Sequence, residues 1–368
     1  MFSFMPFGFL FIFVLAFGSI LSLSSLHWLS IWAGLEINLM GFIPILVYRG
    51  ISQETESGMK YFIIQALGSG MIMMGSLLAF NLSFTWENAP SPKIYLGMVI
   101  LLFGLMLKLG SFPFHFWLPS VMAGISWLGC LLLTTWQKLA PLFLLAMVVK
   151  SWSSMNNFVV PFLLLAASLS SLIGGIGGLN QTQIRALLAY SSIGHIGWML
   201  LCSILSVTIL KIYFVIYFIV SVSTFVILWN SEKSLFSQTS NTIPENTKLN
   251  EISLIFMLLS LGGMPPLLGF FGKWLAIWGS CMSQSYLLLL PFLAGSLVSL
   301  FYYLSLMFSV SLFSSTKLNT TATQQSDLTL MFDFPKNQNL IHLTNFIFIF
   351  NLMGGILISL ALPTFDFM

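Results

Sequence analysis

Four ionisable residues lie inside long apolar segments and are the first candidates for chemistry. Glu36 is found in WAGLEINLMGFIP, Lys108 in LMLKLGSFP, Lys138 in TTWQKLAP and Lys273 in GFFGKWLA. A charged side chain at the centre of a membrane helix costs roughly 2.5 to 3.5 kcal/mol on insertion scales. Because burial makes an ammonium group easier to deprotonate near neutral pH, lysines in such positions are suited to accepting and releasing protons.

The same residues have structural interpretations that the sequence leaves open. The lysines could extend to a membrane surface, or form ion pairs that only bury charge. Glu36 is a natural partner for Lys108 in that second interpretation. In the transport interpretation the two are coupled, since protonating or moving the carboxylate changes the proton affinity of the lysine.

The histidines extend the list of candidates. His195, in AYSSIGHIGWM, is a candidate proton relay because an unperturbed imidazole titrates at a pH of about 6.5. A hydrogen-bonded core histidine is the alternative. His115 lies among prolines and glycines and could line a cavity, whereas His27 and His342 have the flanks of interfacial residues.

The composition requires a membrane around these groups. Of the 368 residues, 58% are hydrophobic and 6% are charged, whereas soluble domains carry about 25% charged residues. A spanning helix needs roughly 20 mostly apolar residues, and stretches of this kind recur from Phe2 to Leu362. We therefore predict an all-α integral membrane protein.

The chain divides at polar and turn-forming clusters into about eleven spans within a single membrane domain, residues 1–368. The predicted spans are 7–23, 26–48, 61–84, 94–122, 125–149, 158–177, 184–205, 209–229, a ninth that starts near 252 and is broken around Pro265, 286–312 and 343–362. They group into one repeat over about 5–150, a second over about 157–312, and a C-terminal helix over about 342–363.

Two of these spans contain unusual breaks. One reads KLGSFPFHFWLP from Lys108 to Pro119, and the other LGGMPPLLGFFGKW from Leu261 to Trp274. Irregular backbone at membrane depth is tolerated where it is packed in protein or lines a wet cavity. Each break falls in the fourth span of a five-span half, which is typical of a transporter built from inverted repeats.

Other classes of function lack their usual signals. The formal net charge is +3 and the basic residues do not cluster, so we expect no binding of nucleic acid. Cys130, Cys202 and Cys281 stand singly in apolar segments without the spacing of a metal site, and are predicted to be small core residues.

The distribution of Lys and Arg predicts the orientation. Seven basic residues fall on the side of the N-terminus and three on the opposite side: Arg49, Lys60, Arg185, Lys233, Lys248, Lys317 and Lys336 against Lys93, Lys150 and Lys211. The positive-inside rule then places the N-terminus in the matrix or cytoplasm, and an odd number of spans places the C-terminus across the membrane.

Six motifs give the chain a family resemblance. In order, they are WAGLEINLMGFIPIL, KYFIIQA, KLGSFPFHFW, LLTTWQKLAP, GGLNQTQIRALLAYSSIGHIGWM and SLGGMPPLLGFFGKW, over about residues 26–280. They resemble the antiporter-like membrane subunits of respiratory complex I, the NADH:ubiquinone oxidoreductase, which are related to Mrp-type sodium/proton antiporters. The resemblance implies two inverted five-helix repeats, each with a broken fourth helix, and a C-terminal helix.

The resemblance also implies roles for the candidate residues. Glu36 and Lys108 correspond to a coupled carboxylate and lysine, Lys138 to a central relay lysine, and Lys273 to the lysine toward the exit, with His195 between the last two. It implies that the chain couples NADH oxidation and ubiquinone reduction to proton pumping while performing no redox chemistry itself. NADH, FMN, iron-sulfur clusters and ubiquinone are expected on other subunits, so this chain is expected to bind no cofactor.

The expected partners are other membrane-arm subunits, including other antiporter-like ones, and membrane lipid, including cardiolipin. The expected location is the mitochondrial inner membrane, with the N-terminus in the matrix and the C-terminus in the intermembrane space. Two other functions remain open at this point: a free-standing cation/proton antiporter, and a structural subunit whose buried charges carry nothing.

Overall fold

A computed structural model describes residues 8–80, 94–152, 159–231, 246–282, 289–316, 346 and 348–355. These ranges contain thirteen helices: α1 (Gly8–Ser24), α2 (Trp28–Val47), α3 (Ser52–Ala79), α4 (Ile94–Leu109), α5 (Trp117–Gly124), α6 (Trp127–Thr134), α7 (Trp136–Trp152), α8 (Val159–Gly178), α9 (Ile184–Leu205), α10 (Val207–Ser231), α11 (Asn246–Gly262), α12 (Leu268–Met282) and α13 (Leu289–Thr316).

The helical membrane fold predicted from composition is confirmed. Within the described ranges, seven helical segments are long and apolar enough to cross a membrane: α2, α3, α6 together with α7, α8, α9, α10 and α13. The shorter apolar helices α1, α4 and α11 were also predicted as spans or parts of spans. The last predicted span lies mostly outside the described residues, although 348–355 are helical.

The predicted start of the third span was wrong. Helix α3 begins at Ser52, nine residues before the predicted start at Tyr61. Its first turns are polar and are stabilised by an ion pair between Lys60 Nζ and Glu56 Oε1 at 2.6 Å, one helical turn apart. Hydropathy therefore marks where the apolar part of the helix begins, and the hydrogen-bonded helix starts earlier.

The fifth span was predicted as one helix and is interrupted at Thr135, between α6 and α7. The Thr135 hydroxyl donates to the Leu131 carbonyl at 2.6 Å, and the Thr135 backbone N–H donates to the same oxygen at 3.1 Å. Threonine hydroxyls that bond to the preceding turn compete with the helical pattern and bend a helix. The residues after this interruption, including Lys138, begin a new helix.

Neighbouring helices along the chain pack in antiparallel fashion, and α9 of the second predicted half packs against helices of the first half. Helix α1 packs along α2, α3 along α4, and α8 along α9, while α9 contacts α5, α7 and α12. The start of α7 is fixed by two side-chain hydrogen bonds: Trp136 Nε1 donates to Ser19 Oγ at 3.2 Å, and Gln137 Nε2 donates to Asn38 Oδ1 at 3.0 Å.

The two predicted breaks are present and share one backbone geometry. Helix α4 ends before Gly110, at φ +73°, and α11 ends before Gly263, at φ +83°, a conformation that side chains disfavour. Three backbone hydrogen bonds close the first break, from Gly110 N to Met106 O and Leu107 O and from Ser111 N to Met106 O. The same three recur 153 residues later, where Gly263 and Met264 donate to Leu259 and Ser260.

Candidate functional site

Lys273 forms hydrogen bonds with the last carbonyl groups of α11, at the second break. Its Nζ donates to the carbonyl oxygens of Gly262 at 2.8 Å and Leu261 at 3.3 Å, and its side chain is 8% exposed. Carbonyls at a helix C-terminus lack partners in the helix and carry partial negative charge, so a cation stabilises them. A Cβ at Gly263 would lie 2.9 Å from Lys273 Cδ, so a side chain there would displace the end of the lysine side chain.

In the first break, neutral groups donate to the carbonyls of the last helical turn, and one of these carbonyls, that of Lys108, corresponds to the Leu261 carbonyl bonded by Lys273. Trp117 Nε1 donates to the Leu107 carbonyl at 3.2 Å, and Gln65 Nε2 donates to the Lys108 carbonyl at 3.5 Å. The two breaks therefore have the same backbone but different partners for their terminal carbonyls.

His195 lies between the two relay lysines proposed from the sequence. Its Nδ1 is 3.0 Å from the Tyr213 hydroxyl, and its ring centroid is 5.0 Å from that of Tyr217. The Tyr217 ring also contacts Lys138, and His195 lines the same cavity as Lys273. This arrangement brings together three predicted site residues that are far apart in the sequence.

Lys138 is almost fully buried, with 2% of its surface exposed. Its Nζ lies 3.5 Å from the Ser192 carbonyl oxygen in α9 and 5.5 Å from the centroid of the Tyr217 ring. The aromatic face and the carbonyl both offer negative potential to an ammonium group. No carboxylate among the described residues forms an ion pair with Lys138.

Lys108 lies in the last turn of α4, 7% exposed, and interacts electrostatically with the half-buried Glu36 of α2. The two charged groups are not in direct contact, since no N···O distance between these two described side chains falls within 4.0 Å. Helix α3 lies between α2 and α4, and its Gly68 leaves room for the lysine stem: a Cβ there would lie 3.1 Å from Lys108 Cγ. Glu36 therefore acts on Lys108 through space.

The buried lysines and the histidine are carried by a series of helices in contact. Helix α4 with Lys108 contacts α7 with Lys138, α7 contacts α9 with His195, and α9 contacts α12 with Lys273. Lysine and histidine side chains are both able to bind and release protons, and here the three lysines are buried while His195 is partly buried. The arrangement provides successive proton-binding groups across both predicted halves of the chain.

Tyr213 and Tyr217 belong to this site but were missed from the sequence. They are four residues apart on α10, so they share one helix face, and both are buried. That spacing of two polar aromatic side chains was the available signal. Trp136 and Gln137, by contrast, stand within the quoted TTWQKLAP motif, in which only Lys138 was singled out.

The remaining candidates lie outside the series. His115 is buried against Phe116, with ring centroids 4.0 Å apart, and His27 is exposed before α2. His342 lies outside the described residues. Cys130 and Cys202 are buried as predicted. The prediction for Cys281 was wrong, because it lies in the last turn of α12, where Met282 is also exposed. In the described part of the chain, no group of three His, Cys, Asp or Glu residues could hold a metal ion.

Fold and site together define a multi-spanning helical membrane protein with an ionisable interior. The sequence model of the NADH:quinone oxidoreductase/Mrp antiporter transmembrane family matches residues 25–301. The chain is 39% identical over 302 residues to NADH-ubiquinone oxidoreductase chain 2 of Lumbricus terrestris, covering 80% of this chain and 84% of the relative. It is 38% identical over 333 residues to the protein of the same name from Anopheles gambiae, covering 88% and 93%.

Solved structures agree with these sequence matches. A chain of respiratory complex I from Thermus thermophilus has a TM-score of 0.80 and 27% identity, covering 97% of this chain and 79% of that one. A chain of the Mrp complex from Dietzia sp. has a TM-score of 0.81 at 15% identity, covering 96% and 75%, and shows the shared fold. The chain belongs to the NADH:quinone oxidoreductase/Mrp antiporter family of membrane subunits.

Proposed function

We propose that this chain is a proton-translocating membrane-arm subunit of respiratory complex I, which couples NADH oxidation and ubiquinone reduction to proton transfer across the membrane. The observation that carries the proposal is that His195 shares the Tyr217 ring with Lys138 on one side and lines one cavity with Lys273 on the other. The relatives named NADH-ubiquinone oxidoreductase chain 2 and the complex I chain of similar fold support it.

The proposed mechanism is a stepwise transfer along the helix series. A charge rearrangement at Glu36 changes the proton affinity of Lys108 through space, because an opposite charge nearby favours the ammonium form. Protons then pass by way of Lys138, His195 and Lys273 through intervening water. Tyr213 orients the imidazole through its hydroxyl, and the Tyr217 ring stabilises the Lys138 ammonium.

The proposal includes the arrangement of the whole chain. The two breaks with matching hydrogen bonds support two inverted five-helix repeats followed by a C-terminal helix. The surplus of basic residues on the side of the N-terminus supports a matrix N-terminus and a C-terminus in the intermembrane space of a mitochondrial inner membrane. The partners in this proposal are the other membrane-arm subunits, among them antiporter-like ones, and lipid including cardiolipin.

The chain itself is proposed to supply proton transfer only. NADH, FMN, iron-sulfur clusters and ubiquinone belong to other subunits in this proposal. The enzymatic activity is then that of the assembled complex, and this subunit controls how tightly the redox reaction is coupled to pumping.

The test is Lys138→Ala in the assembled complex, reconstituted in liposomes. Removing the central ammonium interrupts the series between Lys108 and His195, so proton pumping and coupled ubiquinone reduction should fall roughly tenfold or more, in the range by which positioned proton-transfer groups act. Lys211→Ala is the matched control, because Lys211 is exposed on α10 and outside the series. Pumping and reduction are measured together with the amount of assembled complex on native gels.

Two outcomes would contradict the proposal. If Lys138→Ala assembled normally and kept wild-type pumping, the buried lysines would be structural devices. If the chain migrated alone, without flavin and iron-sulfur subunits, and exchanged sodium for protons in liposomes, it would be a free-standing antiporter.

A further inference from the structure

Helices α1, α2 and α7 meet at a buried point beside Asn38. The Asn38 side chain is 3% exposed, and its Oδ1 accepts a hydrogen bond from Gln137 Nε2 at 3.0 Å. A Cβ at Gly18 of α1 would lie 2.5 Å from Asn38 N, so the backbones of α1 and α2 are closely packed there. Amide groups are costly to bury without a partner, and this hydrogen bond provides one for each side chain. The relay series described above does not include Asn38 or Gln137.

Lys138 lies in a turn of α7 that the backbone holds weakly on both sides. Before it the helix is interrupted at Thr135, whose N–H and hydroxyl both bond to the Leu131 carbonyl. After it, Pro141 lies inside the helix. Because proline has no N–H, the carbonyl of Gln137, four residues earlier, loses its usual helical partner. The turn that carries Lys138 is therefore less constrained by backbone hydrogen bonds than the rest of α7.

Two side chains hold this turn in place. Gln137 bonds to Asn38 of α2, and Trp136 Nε1 donates to Ser19 Oγ of α1 at 3.2 Å. Both donors directly precede Lys138 in the chain, so they fix the backbone from which the lysine side chain extends. They differ in destination, since the indole reaches α1 and the glutamine reaches α2.

The ammonium group of Lys138 is placed with little tolerance. Its Nζ lies 3.5 Å from the Ser192 carbonyl oxygen, at the outer limit of a hydrogen bond. It lies 5.5 Å from the centroid of the Tyr217 ring, close to the limit of about 6 Å for attraction between a cation and an aromatic face. A shift of about 1 Å away from α9 and α10 would take the ammonium beyond both limits.

We propose that Asn38 and Gln137 are positioning residues for Lys138. Their hydrogen bond holds the first turn of α7 against α2, the helix that also carries Glu36. The inference rests on the proposed function, in which Lys138 is the central relay group. Glu36 and Asn38 are two residues apart, so their side chains leave α2 on different sides and the link runs through the helix backbone. The relay then has two connections to α2, one electrostatic through Lys108 and one through this hydrogen bond.

The first test is Gln137→Met in the assembled complex in liposomes. Methionine has a similar length but donates no hydrogen bond to Asn38, so packing and assembly should be retained. The number of protons pumped per NADH oxidised should fall several-fold, because a small misplacement of a reacting group is enough to slow its reaction. Gln181→Met is the matched control: it removes a hydrogen bond from the half-buried Gln181 to the Gly177 carbonyl, away from Lys138. Its proton yield should equal that of the wild type.

A pair of variants that change side-chain length gives a readout that lost packing would not. Gln137→Asn shortens the donor by one carbon–carbon bond, about 1.5 Å, which takes it out of hydrogen-bonding range of Asn38. It should lower the proton yield as Gln137→Met does. Adding Asn38→Gln restores the missing length from the α2 side, so the double variant should regain most of the wild-type yield. A structure of each complex should show Lys138 Nζ farther from the Ser192 carbonyl in Gln137→Asn, and back in place in the double variant.

Lys138→Ala separates failure of this inference from failure of the proposed function. If Lys138→Ala lowers pumping while Gln137→Met and Gln137→Asn keep the wild-type yield, the positioning role is overturned and the relay stands. Loss in both single variants without recovery in the double variant also overturns the positioning role. If Lys138→Ala itself pumps normally, the relay and the positioning role are both overturned. Loss in the single variants, recovery in the double variant and a normal Gln181→Met support the positioning role.

Discussion

At the scale of single residues, the site depends on neutral side chains that orient the charged ones. The Tyr213 hydroxyl is 3.0 Å from His195 Nδ1, and Tyr217 presents its ring to Lys138 at 5.5 Å. One tyrosine acts through its oxygen and the other through its aromatic face. Replacement by phenylalanine removes the hydroxyl and keeps the ring, so it distinguishes the role of Tyr213 from that of Tyr217.

Tyr213→Phe is predicted to lower proton pumping several-fold, whereas Tyr217→Phe is predicted to have a smaller effect. The first removes the partner of a buried imidazole nitrogen, a loss of about 1 to 3 kcal/mol for an unsatisfied buried group. The second keeps the ring that faces Lys138. Pumping per assembled complex is measured for both variants, and equal losses would show that the His195 contact has no special role.

At the scale of elements, the second break sets the position of Lys273, the second of the proposed relay lysines. Gly110 and Gly263 have the same left-handed conformation and the same backbone hydrogen bonds, but only Gly263 lies against Lys273. A side chain at Gly110 would instead meet Leu118 Cδ1 at 3.0 Å. Substitutions at Gly110 and Gly263 therefore distinguish two effects. Both test the backbone conformation that a break requires, and only the substitution at Gly263 also tests the position of Lys273.

Gly263→Ala and Gly110→Ala should each destabilise the protein by about 1 to 2 kcal/mol, the usual penalty for a left-handed alanine. Gly263→Ala should also displace the Lys273 ammonium from the α11 carbonyls and lower pumping per assembled complex. Thermal denaturation of the purified complex measures the first effect and liposome assays the second. A large pumping loss in Gly110→Ala and none in Gly263→Ala would contradict this assignment.

The sequence predicted some of these elements because their cause is local. Helix α9 was predicted with its observed bounds, since an apolar run stands between a polar turn and Ser206, and glycine with proline marked both breaks. The interruption at Thr135 was missed, because threonine is common inside membrane helices and its back-bonding is visible only in the structure.

At the scale of the whole molecule, two polar contacts among the described residues link the predicted halves of the chain at α9. Lys138 reaches the Ser192 carbonyl of α9, and Arg185 Nη1 donates to the Ile125 carbonyl between α5 and α6. The Arg185 guanidinium also lies 5.8 Å from the centre of the Trp127 ring. Through this hydrogen bond Arg185 links the start of α9 to Ile125, the residue that follows α5.

Arg185→Met is predicted to lower the amount of assembled subunit while leaving pumping per assembled complex nearly unchanged. It removes a charge-assisted hydrogen bond, worth about 1.5 to 3 kcal/mol, and leaves the Ile125 carbonyl without that partner. Lys211→Met serves as the control, because it removes an exposed cation from α10. Native gels and thermal denaturation measure assembly, and normal amounts of a thermally unchanged subunit would contradict the prediction.

The two breaks also bear on how this protein can evolve. Each forms the same three backbone hydrogen bonds, yet the neutral Trp117 and Gln65 donate to the terminal carbonyls of the first break and the Lys273 ammonium donates to those of the second. A break that forms with a neutral indole does not need an ammonium group in order to fold. The two predicted halves can therefore differ in whether an ammonium group serves the break, so the shape of the break and the presence of the lysine answer to separate requirements.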